Sequence, residues 1–171
     1  MRSRDLIAGL ITLLVLALAA CGDPDVALEG PTRAPDQHVL DEVGVLDAAV
    51  EEALREVSER SGLDVVAVAF EDEQASRGQA DRGGNLVLDA WDADVALVVV
   101  GAPGDLTSTE EDRRRHFGVT AGDRFVVTRD LRERIVTERV PGPAADNEWP
   151  RAFQDAIDEL AAELPTAADG G

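Results

Sequence analysis

The sequence predicts an α/β domain: a three-layer α/β/α sandwich with a small, mostly parallel central sheet built on a βαβ unit. Two apolar, β-branched runs, Asp64–Phe70 and Asp94–Val100, have the length and composition of strands buried on both faces. A helical pattern separates them, and such a unit is expected to be parallel and right-handed. With 171 residues, 44% of them apolar, the chain is large enough for one domain with a real core.

The domain is predicted to begin near residue 38, with a first helix over residues 47–61. Apolar residues recur at three- and four-residue steps from Val43 to Val57. Asp47 is placed to cap the start of this helix, and Gly62 follows its end. The segment therefore has both the periodicity and the boundaries of a helix.

Residues 74–91, between the two runs, predict a weaker helix. The segment is polar at first, is interrupted by Gly83 and Gly84, and then becomes apolar as far as Trp91. We expect a break at the two glycines, because glycine is a poor helix former. We expect Trp91 and Trp149 to have core or capping roles.

The second half of the chain predicts shorter elements. Residues 108–111 have the Ser-Thr-Glu-Glu pattern of a capping box that begins one helical turn. A third strand is predicted at 114–120, and a further short strand at 125–128. A helix over 129–139 should end at Pro141-Gly142-Pro143, and a last helix should run from Trp149 to Leu164. We expect residues 165–171 to form a disordered tail.

Residues 1–20 predict a secretory signal. A short basic start precedes an uncharged apolar run, Leu6–Ala20, that is too short to span a bilayer at 1.5 Å per residue. The run ends Leu18-Ala19-Ala20-Cys21, which resembles the lipobox of bacterial lipoproteins. The resemblance implies that Cys21 carries a diacylglycerol and becomes the mature N-terminus. The alternative is an ordinary secretory signal with an incidental cysteine.

Residues 21–37 are predicted to form a flexible tether after the lipidated cysteine. They contain three prolines and two glycines but few large aliphatic residues, so they bury too little surface to fold alone. The expected location is therefore the extracytoplasmic face of the cell membrane, where the lipid on Cys21 is the anchor.

The charge of the chain excludes broad nucleic-acid binding. Asp and Glu number 35 against 16 Arg, with no Lys, and the formal net charge is −19. The chain has four Phe, two Trp and no Tyr, so it offers few aromatic rings on which sugars or bases could stack. This composition disfavours proteins that bind carbohydrates or single-stranded nucleic acids. An acidic surface also repels anionic headgroups, so attachment should depend on the lipid.

The sequence carries no recognised catalytic motif. His38 and His116 are the only histidines available as proton carriers, and no serine lies in a strand-to-helix elbow. A lipidated Cys21 would have no free thiol, which excludes catalysis by a cysteine nucleophile. We therefore assign no catalytic residue and no required cofactor.

Acidic residues follow the first buried strand. Glu71, Asp72 and Glu73 should approach Asp105, in the loop after the second strand, because parallel strands end at the same edge. Their oxygens are weak candidates for Ca²⁺ or Mg²⁺ ligands. The favoured alternative is that these acids are solvated loop ends, since no spaced ligand loop is present.

The dense basic cluster of the chain is Arg113, Arg114 and Arg115. Guanidinium groups bind phosphate bidentately, so the cluster is a weak candidate for an anion site. The favoured alternative is local neutralisation by the acids at 110–112, which lie immediately before it.

From Val39 to Leu46 and onward, the order of elements resembles the TPM domain family. The resemblance continues through Trp91, the strands at 94–100 and 113–120, the segment Asp130–Val136, and the helix after Trp149. It implies an extracytoplasmic or lumenal α/β/α sandwich, tethered to a membrane in many members and associated with membrane-protein maintenance. Phosphatase activity is linked to some members. No catalytic residue is transferred.

These features support two hypotheses. The first is a lipid-anchored, non-enzymatic accessory or interaction module whose partner is an envelope or membrane protein. The second is a weak divalent-metal-dependent phosphatase that holds its ion through Glu71 and Asp72.

Overall fold

The computed structural model describes residues 31–123 and 126–167, which contain a four-stranded sheet of order β1-β2-β3-β4. β1, β2 and β3 are parallel, and β4 is antiparallel to β3. The predicted mostly parallel α/β sheet is therefore confirmed. The strands are β1 (Val39–Asp41), β2 (Val65–Glu71), β3 (Val95–Gly101) and β4 (Arg115–Ala121).

Helices cover both faces of the sheet and make three layers. α2 packs on one face, while α1, α5 and the α3–α4 segment (residues 129–145) pack on the other. α3 continues directly into a π-helical segment, Ile135–Arg139. The helices are α1 (Ala48–Ser61), α2 (Arg77–Trp91), α3 (Arg129–Arg134), α4 (Pro141–Ala145) and α5 (Trp149–Glu163).

The predicted leader over residues 1–20, Cys21 and the first part of the tether lie outside the described residues. Residues 168–171 of the predicted tail also lie outside them. Within residues 31–123 and 126–167, no helix combines the length and the apolar character that crossing a membrane requires.

β3 is the centre of the core. All seven of its residues are buried. Val95, Leu97 and Val99 face α1 and α5, whereas the alternate residues face α2. A strand buried on both faces reads as a continuous apolar run, which is why the sequence predicted it well.

The two parallel crossovers have opposite hands. The strand order advances in one direction from β1 through β2 to β3, yet α1 and α2 lie on opposite faces. A crossover that keeps its direction but changes face must change hand. The right-handed rule, which we applied to β2–α2–β3, therefore holds for only one of the two connections.

Asp41 organises the connection from β1 to α1. Its carboxylate accepts hydrogen bonds from the backbone N–H groups of Val43, Gly44 and Leu46 at 3.1, 2.8 and 2.7 Å. Gly44 adopts φ +79°, which favours glycine. β1 itself was not predicted, since three residues carry too little periodicity to identify a strand.

α2 is continuous, so the predicted break at Gly83 and Gly84 is wrong. The reason is close packing on the sheet. A Cβ added at Gly83 would lie 2.7 Å from a ring carbon of Phe70, and one at Gly84 would lie 2.4 Å from Thr120 Oγ1. The glycines therefore allow α2 to approach the strands, at the cost of some helix propensity.

Three short elements also differ from prediction. The segment 108–111 forms no helical turn. Residues 126–128 form no strand, because Thr128 caps α3 through a bond from Leu131 N, and residue 125 lies outside the description. The predicted helix over 129–139 is confirmed as α3 and the π-helical segment, but Pro141 then starts a further helix, α4, where a missing N–H is tolerated.

The packed domain begins earlier than the predicted boundary at residue 38. The Arg33 guanidinium binds both carboxylate oxygens of Asp64 and lies 5.2 Å from the centre of the Trp91 ring. Trp91 Nε1 donates to the carbonyl of Pro31 at 2.7 Å. The end of the predicted tether is therefore fixed to the domain.

Gly84→Ala should destabilise the protein, because the new methyl group meets Thr120 and Val98 in a packed layer. Overpacking of this kind costs about 1–3 kcal/mol. Gly78→Ala is the matched control in the same helix, since its Cβ would meet nothing closer than 3.8 Å. Chemical denaturation should show a large loss in the free energy of unfolding for Gly84→Ala and none for Gly78→Ala. Equal losses for the two variants would contradict the packing explanation.

Glu159 on α5 binds α3 and the π-helical segment. Arg134 Nε and Arg139 Nε donate to its two oxygens at 2.9 and 2.8 Å. The hydrogen bond from Arg134, followed by that from Arg139, lowers the pKa of Glu159 below its usual value. A carboxylate with a lowered pKa stabilises the fold above its unfolded pKa, and this contribution disappears as the pH falls through the folded pKa.

Glu159→Gln should therefore lower the free energy of unfolding at neutral pH, with the difference from wild type shrinking as the pH falls below about 4. Urea denaturation across a pH series measures this difference. Glu56→Gln, at an exposed position of α1, is the control and should change little at any pH. A deficit for Glu159→Gln that persists unchanged at low pH would contradict the ionic explanation.

Candidate functional site

A groove of about 1230 Å³ runs along β4, between α2 and the α3–α4 segment. We call it the β4 groove. Its floor is β4, one wall is α2, and the other wall is the α3–α4 segment. The α2 wall is lined by Arg77, Asp81 and Asn85. The opposite wall is lined by Arg129, Arg132, Glu133, Val136, Thr137, Val140, Pro141, Ala144 and Ala145.

The floor of the groove is an unpaired strand edge, because β4 is last in the strand order. Just outside the strand, Ala102 N donates to Arg114 O and Gly122 N donates to Asp94 O, each at 3.0 Å. Hydrogen-bonded pairs alternate in an antiparallel ladder, so the even-numbered residues of β4 bond to β3. Arg115, Phe117, Val119 and Ala121 therefore point their N–H and C=O groups into the groove, where the described residues supply no backbone partner.

The α2 wall stands directly beside this edge because small residues separate helix and strand. A Cβ at Gly118 would lie 3.4 Å from the Cβ of Ala80. Arg77, Asp81 and Asn85 follow one another at four-residue steps, so they form an exposed row along the groove. This wall is polar.

The opposite wall is charged on α3 and mostly apolar from Val136 to Ala145. Val140 is buried, and Val136 and Ala144 are half-buried, so each leaves at most part of its surface in the groove. Trp149 closes this side, where its indole N–H donates to the carbonyl of Leu106 at 2.7 Å. A ligand in the groove thus meets a polar wall on α2 and an opposite wall that is charged on α3 and mostly apolar beyond it.

The charge of the lining differs in sign from that of the protein. Arginines outnumber carboxylates in the groove by four to two, whereas the whole chain has a formal net charge of −19. The groove is therefore a locally positive surface on an acidic domain. The charged lining residues are Arg77, Asp81, Arg115, Arg129, Arg132 and Glu133.

Arg115 is the most constrained cation of the lining. Its guanidinium lies 5.3 Å from the centre of the Trp149 ring and donates to Asn147 Oδ1. Burial, and then the neighbouring charge of Arg113, lower the pKa of Arg115. No described carboxylate forms a salt bridge with it, so an anion in the groove would be favourable at this position.

The three predicted basic residues hold loops together. Arg113 donates to the carbonyl of Ser108 at 2.9 Å and to Asn147 Oδ1 at 2.9 Å. Arg114 instead donates to the carbonyl of Glu73 at 3.1 Å. Arg113 and Arg115 meet at Asn147, but Arg114 is directed elsewhere, so the three guanidinium groups do not converge on one anion site.

The predicted acidic residues do reach one edge of the sheet. Glu71 Oε1 accepts from the N–H of Gly104, and Asp105 Oδ2 accepts from the N–H of Arg114, both at 2.7 Å. Asp72 accepts from the N–H two residues later at 2.6 Å. Among residues 31–123 and 126–167, no three His, Cys, Asp or Glu side chains cluster as a metal site would require. These carboxylates therefore stabilise the loops through hydrogen bonds to backbone N–H groups.

Asn147 was missed by the sequence reasoning. It adopts φ +60°, accepts from Arg113 and Arg115, and donates to the carbonyl of Ser108 at 2.6 Å. Its only sequence signal is its type, since Asn tolerates positive φ better than most residues. His38 and His116, the two candidate proton carriers, lie near opposite ends of the sheet, beside Val65 and paired with Val100.

Comparisons with known proteins show the fold. No protein-family model matches the chain, and no curated protein matches it. The N-terminal domain of the cg2496 protein from Corynebacterium glutamicum, solved by NMR, is similar with a TM-score of 0.54 at 11% identity, covering 82% of this chain and 88% of that chain. The N-terminal domain of a protein from P. gingivalis gives a TM-score of 0.54 at 16% identity, covering 75% and 82%. At these identities the likeness concerns the fold alone.

Proposed function

We propose that this chain is a lipid-anchored, TPM-like accessory domain on the extracytoplasmic face of the membrane, and that it binds an envelope protein through the β4 groove. The observation that carries the proposal is the groove itself: an unpaired strand edge between a polar wall and a partly apolar wall, locally positive on an acidic protein. Unpaired edges are usual sites of protein association.

The anchor in this proposal is the lipid on Cys21, supported by the lipobox-like sequence before it. Two acyl signals hold a protein stably, at about 0.8 kcal/mol per buried CH₂. The domain's own charge offers no alternative attachment, because an acidic surface is repelled by anionic headgroups.

The contacts of Arg33 fix where the chain enters the domain. Arg33 binds Asp64, which precedes β2, so the chain enters at the end of the sheet where the parallel strands begin. The β3–β4 loop, with Arg113 and Arg114, lies at the opposite end of the sheet.

The alternative, a weak metal-dependent phosphatase, draws no support from its candidate ligands. Glu71 and Asp72 each accept a backbone N–H, as does Asp105. A binding function, by contrast, uses the groove as it stands.

The experiment compares wild type with Cys21→Ser in intact cells labelled with a lipid precursor. Wild type should be labelled and remain with the membrane, and the serine variant should be unlabelled and released. A serine variant that stays membrane-bound and labelled would contradict the anchor.

In the same strains, a photo-crosslinking residue at Asn85 reports on the groove, and one at Glu56 on α1 is the matched exposed control. The Asn85 position should capture one reproducible envelope protein in the anchored strain, and the Glu56 position should not. Capture of nothing from Asn85, or of the same proteins from both positions, would contradict binding through the groove.

A further inference from the structure

The β4 groove presents backbone hydrogen-bonding groups that nothing in the described structure uses. Phe117 and Val119 lie in the middle of β4 and direct their N–H and C=O groups away from β3. Buried or half-buried backbone groups are nearly always paired in proteins. At this position the natural partner is the backbone of another extended segment, which would lie about 4.8 Å from β4.

The edge is recessed rather than flat. Gly118, Val119 and Thr120 are buried, while the exposed row of α2 stands on one side and the α3–α4 segment on the other. The lining residues span the length of β4 on both walls. An extended chain is the secondary structure that satisfies the exposed backbone groups along this whole length.

The two walls set the side-chain pattern of such a chain. Successive residues of a strand point to opposite faces. One set of side chains would face the polar row on α2. The other set would face the opposite wall, which carries Arg129 and Arg132 on α3 and is mostly apolar from Val136 to Ala145. The groove therefore fits a segment that alternates polar and apolar residues where it passes the apolar part of this wall.

The arginines set the charge of that segment. Arg77 lies on α2 and Arg115 at the start of β4, while Arg129 and Arg132 come from α3, which follows the other end of the strand. Arg77 and Arg129 have no hydrogen bond or salt bridge to another described side chain. Carboxylates on the bound segment would form salt bridges with these arginines.

A second copy of the chain is a poorer occupant. β4 reads Arg-His-Phe-Gly-Val-Thr-Ala and contains no acidic residue, so edge-to-edge pairing would bring Arg115 of each copy toward a positive groove. The net charge of −19 on each copy also opposes self-association.

We infer that the β4 groove binds an extended segment of a partner protein that alternates apolar and acidic residues and adds to the sheet as a fifth strand beside β4. This inference rests on the proposed function, because it specifies the partner chemistry of the same groove.

The test uses a probe joined to the full chain. A segment of about ten residues alternating Val and Glu follows Gly171 through a Gly/Ser linker of about twenty residues, which has a reach of about 25 Å and gives an effective concentration near millimolar. NMR of the purified protein in detergent then shows whether backbone protons of the probe lie beside the amide protons of Phe117 and Val119. Two matched probes replace Glu by Lys, or place Pro at alternate positions where it removes backbone donors.

The Val/Glu probe should give cross-strand contacts to Phe117 and Val119. The Lys probe should lower the bound population at least about tenfold through like-charge repulsion, and the Pro probe should abolish the contacts. The inference is overturned if the Val/Glu probe leaves these amides unaffected, if the Glu and Lys probes pair equally, or if the chain without a probe forms dimers through β4.

The probe experiment and the cellular crosslinking experiment test different claims, so a failure of one can be told from a failure of the other. A paired Val/Glu probe without an envelope protein captured from Asn85 would keep the strand-addition chemistry and contradict the accessory function. A captured envelope protein with an unpaired probe would keep the function and contradict strand addition.

Discussion

The fold depends on the burial of β3 on both faces and along both edges. Its seven residues are all buried, with β2 on one side and β4 on the other. Covering both faces of an apolar strand requires a helical layer on each side of the sheet, and α1 and α2 supply one layer each. Because the strand order still advances in one direction, the two crossovers differ in hand. β4 completes the second edge of β3 and thereby becomes the edge of the whole sheet.

That edge becomes a groove because of how closely α2 is seated. Gly83 and Gly84 let the helix approach Phe70 and Thr120, so α2 lies beside β4 as a wall. The α3–α4 segment returns along the other face and supplies the second wall. The same packing that protects β3 therefore recesses the unpaired edge. The arginines then make this recess attractive to carboxylates on a protein whose remaining surface is acidic.

The sequence pattern predicted those elements whose boundaries and burial depend on their own residues. α1 has its Asp47 cap and the left-handed Gly62 at its end, and β2 and β3 are apolar runs of strand length, so each is readable from its own residues. The continuity of α2 was not readable, because its reason lies in contacts with distant strands. Arg33 was misplaced for the same reason: a Pro-rich composition predicts a tether, but the ion pair with Asp64 fixes its end. The groove was beyond sequence reasoning, since its walls come from segments about fifty residues apart in the chain.

In the protein without its partner, β4 has one paired and one unpaired edge. Residue-resolved amide hydrogen exchange of the full chain tests this difference between the two edges most directly, because backbone pairing slows exchange. Exchange should alternate along β4: the amides of Gly118 and Thr120, which bond to β3, should exchange slowly, whereas those of Phe117 and Val119 should exchange much faster. Uniformly slow exchange from His116 to Thr120 would contradict an unpaired outer edge, since it would show that this edge already has a partner.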